Sequence, residues 1–145
     1  MNVLGWKTQE YEDGYVSVKK FVGYVFTIDG RSLEFTNFNP LSKCDIEEAD
    51  YLSNTQSVED APYLACCTCG YVDCDAVHAI VKFEGERVLW TVFKHNCSEG
   101  DTPTMEESYF FDKTQYCQAI QSLLEHIKMA KTNEEYCWGG HCWMH

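Results

Sequence analysis

Hydrophobic positions along the chain fall into two strand pairs, one helix and two acidic stretches that match no period. Val16 to Ile28 is dense in β-branched and aromatic residues, and Arg31 to Phe38 alternates Leu33, Phe35 and Asn37 with Ser32, Glu34 and Thr36. Asp29-Gly30 lies between these runs. A type I′ turn requires positive φ at both central positions, so an Asp-Gly pair here predicts a hairpin. Gly23 inside the first arm predicts a bulge or a close backbone approach. Residues 1–14, with Trp6 and Tyr11 among charges, read as a surface strand or an irregular lead-in.

Tyr63 to Cys69 reads as a strand. Ala76 to Phe83 and Arg87 to Phe93 form a second hairpin around Glu84-Gly85-Glu86. Val77, Ala79 and Val81 share one face of its first arm, and Val88, Trp90 and Val92 one face of its second. Apolar residues also occur on the opposite faces, which suits a central pair covered on one side by a helix. That helix is predicted from Asp112 to about Lys131. Tyr116, Ile120, Leu123, Leu124 and Ile127 recur at helical spacing, Asp112 and Gln115 make a capping-box pattern, and Phe110 and Phe111 stand ready to staple the start. A second, shorter helix is expected to start at Thr132-Asn133-Glu134-Glu135.

Two connections remain. Asn39-Pro40 ends the first hairpin, and residues 41–62 then carry Asp45, Glu47, Glu48, Asp50, Glu59 and Asp60 against one lysine. A short helix over Asp45 to Leu52, capped by Ser42, is compatible with this stretch, which otherwise reads as a solvated loop. A connection this long inside a compact domain is uncommon unless it is functional or mobile. Residues 94–108 form a second acidic loop with Glu99, Asp101, Glu106 and Glu107. Residues 1–145 are therefore expected to form a single α+β domain. Its largely antiparallel sheet is built from β-hairpins, with one long amphipathic C-terminal helix packed on a face.

Charge changes this picture most. The chain has 145 residues, 23 acidic against 11 basic, for a net charge of −12 and a pI near 4.7. Such a field repels nucleic acid and anionic lipid and speeds encounter with basic partners. No apolar run reaches the roughly 18 residues a membrane helix needs, and the N-terminus lacks the charged and apolar regions of a signal peptide. A soluble, cytoplasmic protein is expected, with its nine cysteines held as thiols, metal ligands or redox groups rather than a disulfide framework.

Four of those cysteines, Cys66, Cys67, Cys69 and Cys74, crowd a knuckle around Gly70. Cys67 or Cys69, with Cys74 and His78, could supply three ligands to a tetrahedral zinc ion, and Cys137, His141, Cys142 or His145 a fourth. The spacing departs from paired C-x2-C sites, however, and small buried thiols flanking a tight turn explain it as well. No metal or cofactor is therefore predicted. A cysteine nucleophile with His78 or His95 as base lacks any feature that selects one thiol over the others. There is also no phosphate-binding loop and no H-E-x-x-H pair. An enzyme is not expected.

The string Leu64-x-Cys66-x2-Cys69-Gly70-x3-Cys74, with Val81, Val88-x-Trp90-x2-Phe93 and Phe111-Asp112-x3-Tyr116, resembles a group of small uncharacterised bacterial proteins that share a C-x-C-G-x3-C knuckle and a V-x-W-x2-F strand. By type, the chain is similar to immunity proteins of contact-dependent inhibition and related toxin systems. That resemblance implies tight, non-catalytic binding of a cognate toxin domain, often a basic nuclease. Asp45, Glu47, Glu48, Asp50, Glu59, Asp60, Glu99, Asp101, Glu106 and Glu107 are the expected contact residues. The alternative is a zinc-containing structural or regulatory module built on the knuckle. The apolar tail residues Trp138, Trp143 and Met144 either fold back on the core or mark a contact site.

Overall fold

The computed structural model describes residues 1–13, 19–35, 38–67, 75–96 and 104–129. Two antiparallel sheets and a long helix share one hydrophobic core. The first sheet orders its strands β1-β2-β3, and the second β4-β5-β6-β7-β8. The expected α+β class is the observed one.

The lead-in is a full strand. β1 (Leu4–Asp13) pairs with β2 (Lys19–Ile28) from Leu4↔Ile28 to Asp13↔Lys19 with no register shift, so Gly23 marks no bulge. A close approach falls at Gly5, where a Cβ would lie 2.5 Å from Thr27 Oγ1. Asp29 and Gly30 take φ of 53° and 81°, the two positive values a type I′ turn demands.

The run Arg31 to Phe38 is not one hairpin arm. β3 (Arg31–Ser32) pairs with β2 for two residues, and β4 (Phe38–Asn39) joins the other sheet beside β5 (Tyr63–Cys67). Leu33 and Phe35, half-buried between the two, pack against the core. The chain then returns to β2 at Leu41, whose backbone exchanges bonds of 2.8 and 3.0 Å with Tyr24.

β6 (Asp75–Glu84) and β7 (Arg87–Asn96) form the second hairpin, with Gly85 at φ 59° as the first central residue of its two-residue turn. Positive φ at that position alone is the type II′ pattern. Within the expected acidic loop over 94–108, the described residues 94–96 and 104–108 are strand, because β7 runs to Asn96 and β8 (Thr104–Asp112) begins by pairing Thr104 with Lys94.

α2 (Lys113–Met129) begins as its sequence predicts, with Asp112 Oδ2 accepting the Gln115 N–H at 3.0 Å. The capping box goes no further. The Gln115 side chain crosses to β1 instead, accepting the Leu4 N–H at 3.0 Å and donating to the Leu4 carbonyl at 2.6 Å. Of the predicted stripe, Tyr116, Ile120, Leu123 and Ile127 are buried and Leu124 half-buried. They meet Val88, Trp90 and Val92 of β7 and Phe111 of β8, all buried. The expected helix start at Thr132 and the tail residues Trp138, Trp143 and Met144 lie outside the described residues.

Two large polar side chains at the centre of this core are paired. Trp90 Nε1–H donates to the Tyr116 hydroxyl at 2.9 Å, and that hydroxyl donates to the Tyr51 carbonyl at 2.6 Å. Burial holds the Tyr116 phenol neutral, well above the ordinary tyrosine range. Tyr116→Phe deletes one oxygen and strands a buried donor and a buried acceptor together. Its expected cost is about 1–3 kcal/mol in denaturant titration, with an unchanged slope. Wild-type stability for this variant would show that the relay is idle.

The first turn predicts a pH effect. Asp29 accepts from Asn2 Nδ2 and from the Val3 N–H, each at 2.8 Å, and these bonds hold its carboxyl below its ordinary value of 3.8. A depressed carboxylate contributes stability above its unfolded pKa and loses it as pH falls through the folded value. Asp29→Asn keeps a residue that tolerates positive φ but loses the acceptor facing Asn2. The variant's deficit in unfolding midpoint should be present at neutral pH and shrink below about pH 4. A deficit that is flat with pH would contradict the assignment.

Candidate functional site

The acidic connection between β4 and β5 is built into the core rather than solvated. Ser42 and Asp45 form a reciprocal capping box at the start of α1 (Lys43–Glu48). Ser42 Oγ accepts the Asp45 N–H at 3.1 Å, and the Asp45 carboxylate accepts the Ser42 N–H at 3.0 Å. The helix begins two residues before the expected Asp45 and stops at Glu48 rather than Leu52. Ala49 leaves it with extended backbone, φ −93° and ψ 150°. The early stop lets Tyr51 turn inward. Its ring packs 5.3 Å from Phe26, and its hydroxyl donates to the Tyr63 carbonyl at 2.5 Å.

Downstream, the same segment closes the edge of β6 where β5 does not reach. Thr55 N–H donates to the Val81 carbonyl at 2.9 Å, Val81 N–H donates to Thr55 Oγ1 at 2.9 Å, and Phe83 N–H donates to Asn54 Oδ1 at 2.6 Å. A short 3₁₀ turn over Val58–Asp60 follows, with Ser57 Oγ donating to Asp60 Oδ2 at 3.0 Å. Leu41, Ile46, Tyr51 and Ala61 are buried along this path. A segment expected to be loop is thus a scaffolded platform.

On that platform Glu47, Glu48, Asp50, Glu59 and Asp60 are exposed. Asp50 also accepts the Leu52 N–H at 2.9 Å, which fixes the start of the turn beyond α1. Asp45 is a correction. It is 1 % exposed and its carboxylate is committed to the cap, so it cannot contact a partner from this position. Glu107 is exposed on β8, where Tyr109 donates its hydroxyl to the Glu107 carboxylate. Partial burial first, and this bond second, push the Tyr109 phenol up to about 12. Glu106 lies in β8 as well, not in a loop, and Glu99 and Asp101 lie outside the described residues.

At the knuckle, Cys69 and Cys74 lie outside the described residues, as do Cys137, His141, Cys142 and His145. Cys67 closes β5, and His78 stands on β6 opposite Tyr63. His78 is buried, stacked on Phe93 with centroids 5.1 Å apart and tilted against Tyr63 at 4.8 Å. Its Nδ1 lies 2.9 Å from the Ala61 carbonyl, which can only accept, so that nitrogen carries the proton. His78 therefore ties the end of the acidic connection to the sheet. No trio of His, Cys, Asp or Glu stands together to hold a metal among the described residues. His126 on α2 is solvent-exposed, and its ring lies 4.9 Å from that of Trp6.

Cysteine chemistry corrects a second expectation. Cys44, on α1, is disulfide-bonded, whereas Cys117 on α2 is a half-buried free thiol. After unfolding without reductant, iodoacetamide should label Cys117 and leave Cys44 untouched until dithiothreitol is added. Labelling of Cys44 before reduction would show that Cys44 carries no disulfide.

The residues that sequence reasoning missed are Tyr51, Asn54 and Thr55, which anchor the platform. Their only signal was an aromatic residue set inside an acidic run. Comparison with protein-family models, with curated proteins and with solved structures finds no match.

Proposed function

We propose that the protein is a non-catalytic inhibitor whose platform of exposed carboxylates docks against a basic partner, as an immunity protein docks against its toxin. The observation that carries this reading is the division of labour within the connection. Ile46, Tyr51 and Ala61 are buried, while Glu47, Glu48, Asp50, Glu59 and Asp60 face solvent on the same short segment. Carboxylates on an anchored backbone need little reordering on binding, which removes part of the entropic cost of association. The net charge of −12 adds long-range attraction for a cationic cleft such as that of a nuclease domain.

Among the described residues no helix is long and apolar enough to cross a membrane. A disulfide persists in oxidising surroundings, so the Cys44 bond supports an oxidising compartment over the cytoplasm.

The experiment pairs this protein with the toxin domain encoded by the neighbouring gene. Co-expression should protect cells from that domain. Combined Glu47→Lys, Glu48→Lys and Asp50→Asn substitution, the last keeping the acceptor for the Leu52 N–H, should slow association by about tenfold or more while leaving the unfolding midpoint near that of wild type. The wild-type on-rate should fall steeply as salt rises, with dissociation changing little. An unchanged on-rate in the triple variant would move the contact surface elsewhere, and no protection would remove the function.

A further inference from the structure

β1 is the outer strand of the three-stranded sheet. In an antiparallel pair, successive residues point their backbone groups alternately toward the partner and away from it. The phase is set at Leu4, whose N–H and carbonyl both bond the Gln115 side chain on the side away from β2. β2 shows the same phase on its far side, where Tyr24 bonds Leu41 and the Phe26 carbonyl accepts from Leu33. Trp6, Thr8 and Glu10 therefore point their N–H and C=O groups out of the sheet. Among the described residues nothing takes those groups.

The opening has a defined start. Gln115 covers the edge at Leu4, and beyond it Trp6 is half-buried while Thr8 and Glu10 are exposed. β1 carries no proline and no bulge along its ten residues, two of the devices that spoil an edge for pairing, and Lys7 is the one lysine on it. β8, the other long outer strand, is held at Phe110 by Asn2 and interrupted by the register shift opposite Val92 and Phe93.

We infer that the β1 edge from Trp6 to Glu10 accepts an extended, lysine- or arginine-bearing segment of a partner protein as an added strand. Main-chain bonds to Trp6, Thr8 and Glu10 would supply the pairing, and side chains would set the sign of the partner. Glu10, opposite Val22, stands in the open stretch and the chain carries a net charge of −12, so a cationic segment is complementary, whereas Glu12 and Asp13 beyond it already lie opposite Lys20 and Lys19. A second copy of the chain would instead set two bodies of net charge −12 edge to edge. This surface goes beyond the carboxylate platform and does not depend on it, because it is read through backbone groups rather than through Glu47, Glu48 or Asp50.

The test uses the full chain and a short fluorescent peptide alternating lysine and valine. Saturable binding is expected, together with slowed amide exchange at Trp6, Thr8 and Glu10. Thr8→Pro removes one outward N–H and blocks the edge while sparing every β1–β2 bond, since proline is tolerated where the N–H faces solvent. It should keep the unfolding midpoint and weaken the peptide by about tenfold or more, a change of about 1.4 kcal/mol. N-methylation of the peptide's alternate amides should weaken it equally with the protein unaltered, which covers any fault in the variant. An alternating glutamate–valine peptide should bind far more weakly. Absence of binding by the lysine peptide, or equal binding by Thr8→Pro and by the methylated peptide, overturns the proposal. Edge protection that grows with protein concentration alone also overturns it, by assigning the strand to a second copy. The platform variants Glu47→Lys and Glu48→Lys should leave this peptide unaffected, so either surface can fail without the other.

Discussion

The Tyr116 hydroxyl is the joint on which the molecule closes. It accepts from Trp90 of β7, donates to the Tyr51 carbonyl and rides on the buried stripe of α2. One oxygen thereby ties the five-stranded sheet, the long helix and the acidic connection to each other. Each of those groups is buried, so each must find a partner inside the protein or cost free energy. Tyr51 extends the tie, because its own hydroxyl reaches the Tyr63 carbonyl at the start of β5. Aromatic packing surrounds the joint, with Phe26 and Phe111 both 5.3 Å from Trp90 in edge-on geometry. Where the acidic platform sits follows from where these rings can pack.

A second constraint is the satisfaction of sheet edges by segments that are not strands. β5 pairs with β6 from Cys66 to Tyr63, and beyond that point the Pro62 carbonyl, the Thr55 backbone and the Asn54 side chain take over the ladder. Asn2 performs the same task for β8, and Leu41 does so for β2. The connection from 41 to 62 is long because it must complete the edge of β6 while burying Ile46 and Tyr51. Its carboxylates are what remains on the outer side after those demands are met.

Local chemistry was legible where one or two residues decide a conformation. Asp29-Gly30, Gly85, Asp112 with the Gln115 N–H, and Ser42 as a cap all act within a few residues of chain, and each behaves as its chemistry requires. The apolar stripe of α2 was equally plain. Partner choice was not legible. Period-two alternation over Arg31 to Phe38 does not say that its ends belong to different sheets, and the polar Thr104 to Ser108 becomes strand only because β7 offers a ladder. Ile46 and Tyr51 are five residues apart and fit no single period, so their burial emerges only in three dimensions. Gln115 shows one side chain with two local solutions, its own cap or the Leu4 backbone, and tertiary packing selects the second. Asp45 was misread for the opposite reason. A carboxylate in an acidic run looks like surface until its capping bonds bury it.

The acidic platform is part of the cooperative core and not a loop laid over it. Native-state hydrogen exchange at the Ile46 and Ala49 amides, which donate to Ser42 and Ile46, tests this most directly. In that case both amides exchange only through opening events as costly as global unfolding, alongside those of β6 and β7. Exchange at the rate of an open loop, with β6 and β7 still protected, would contradict it.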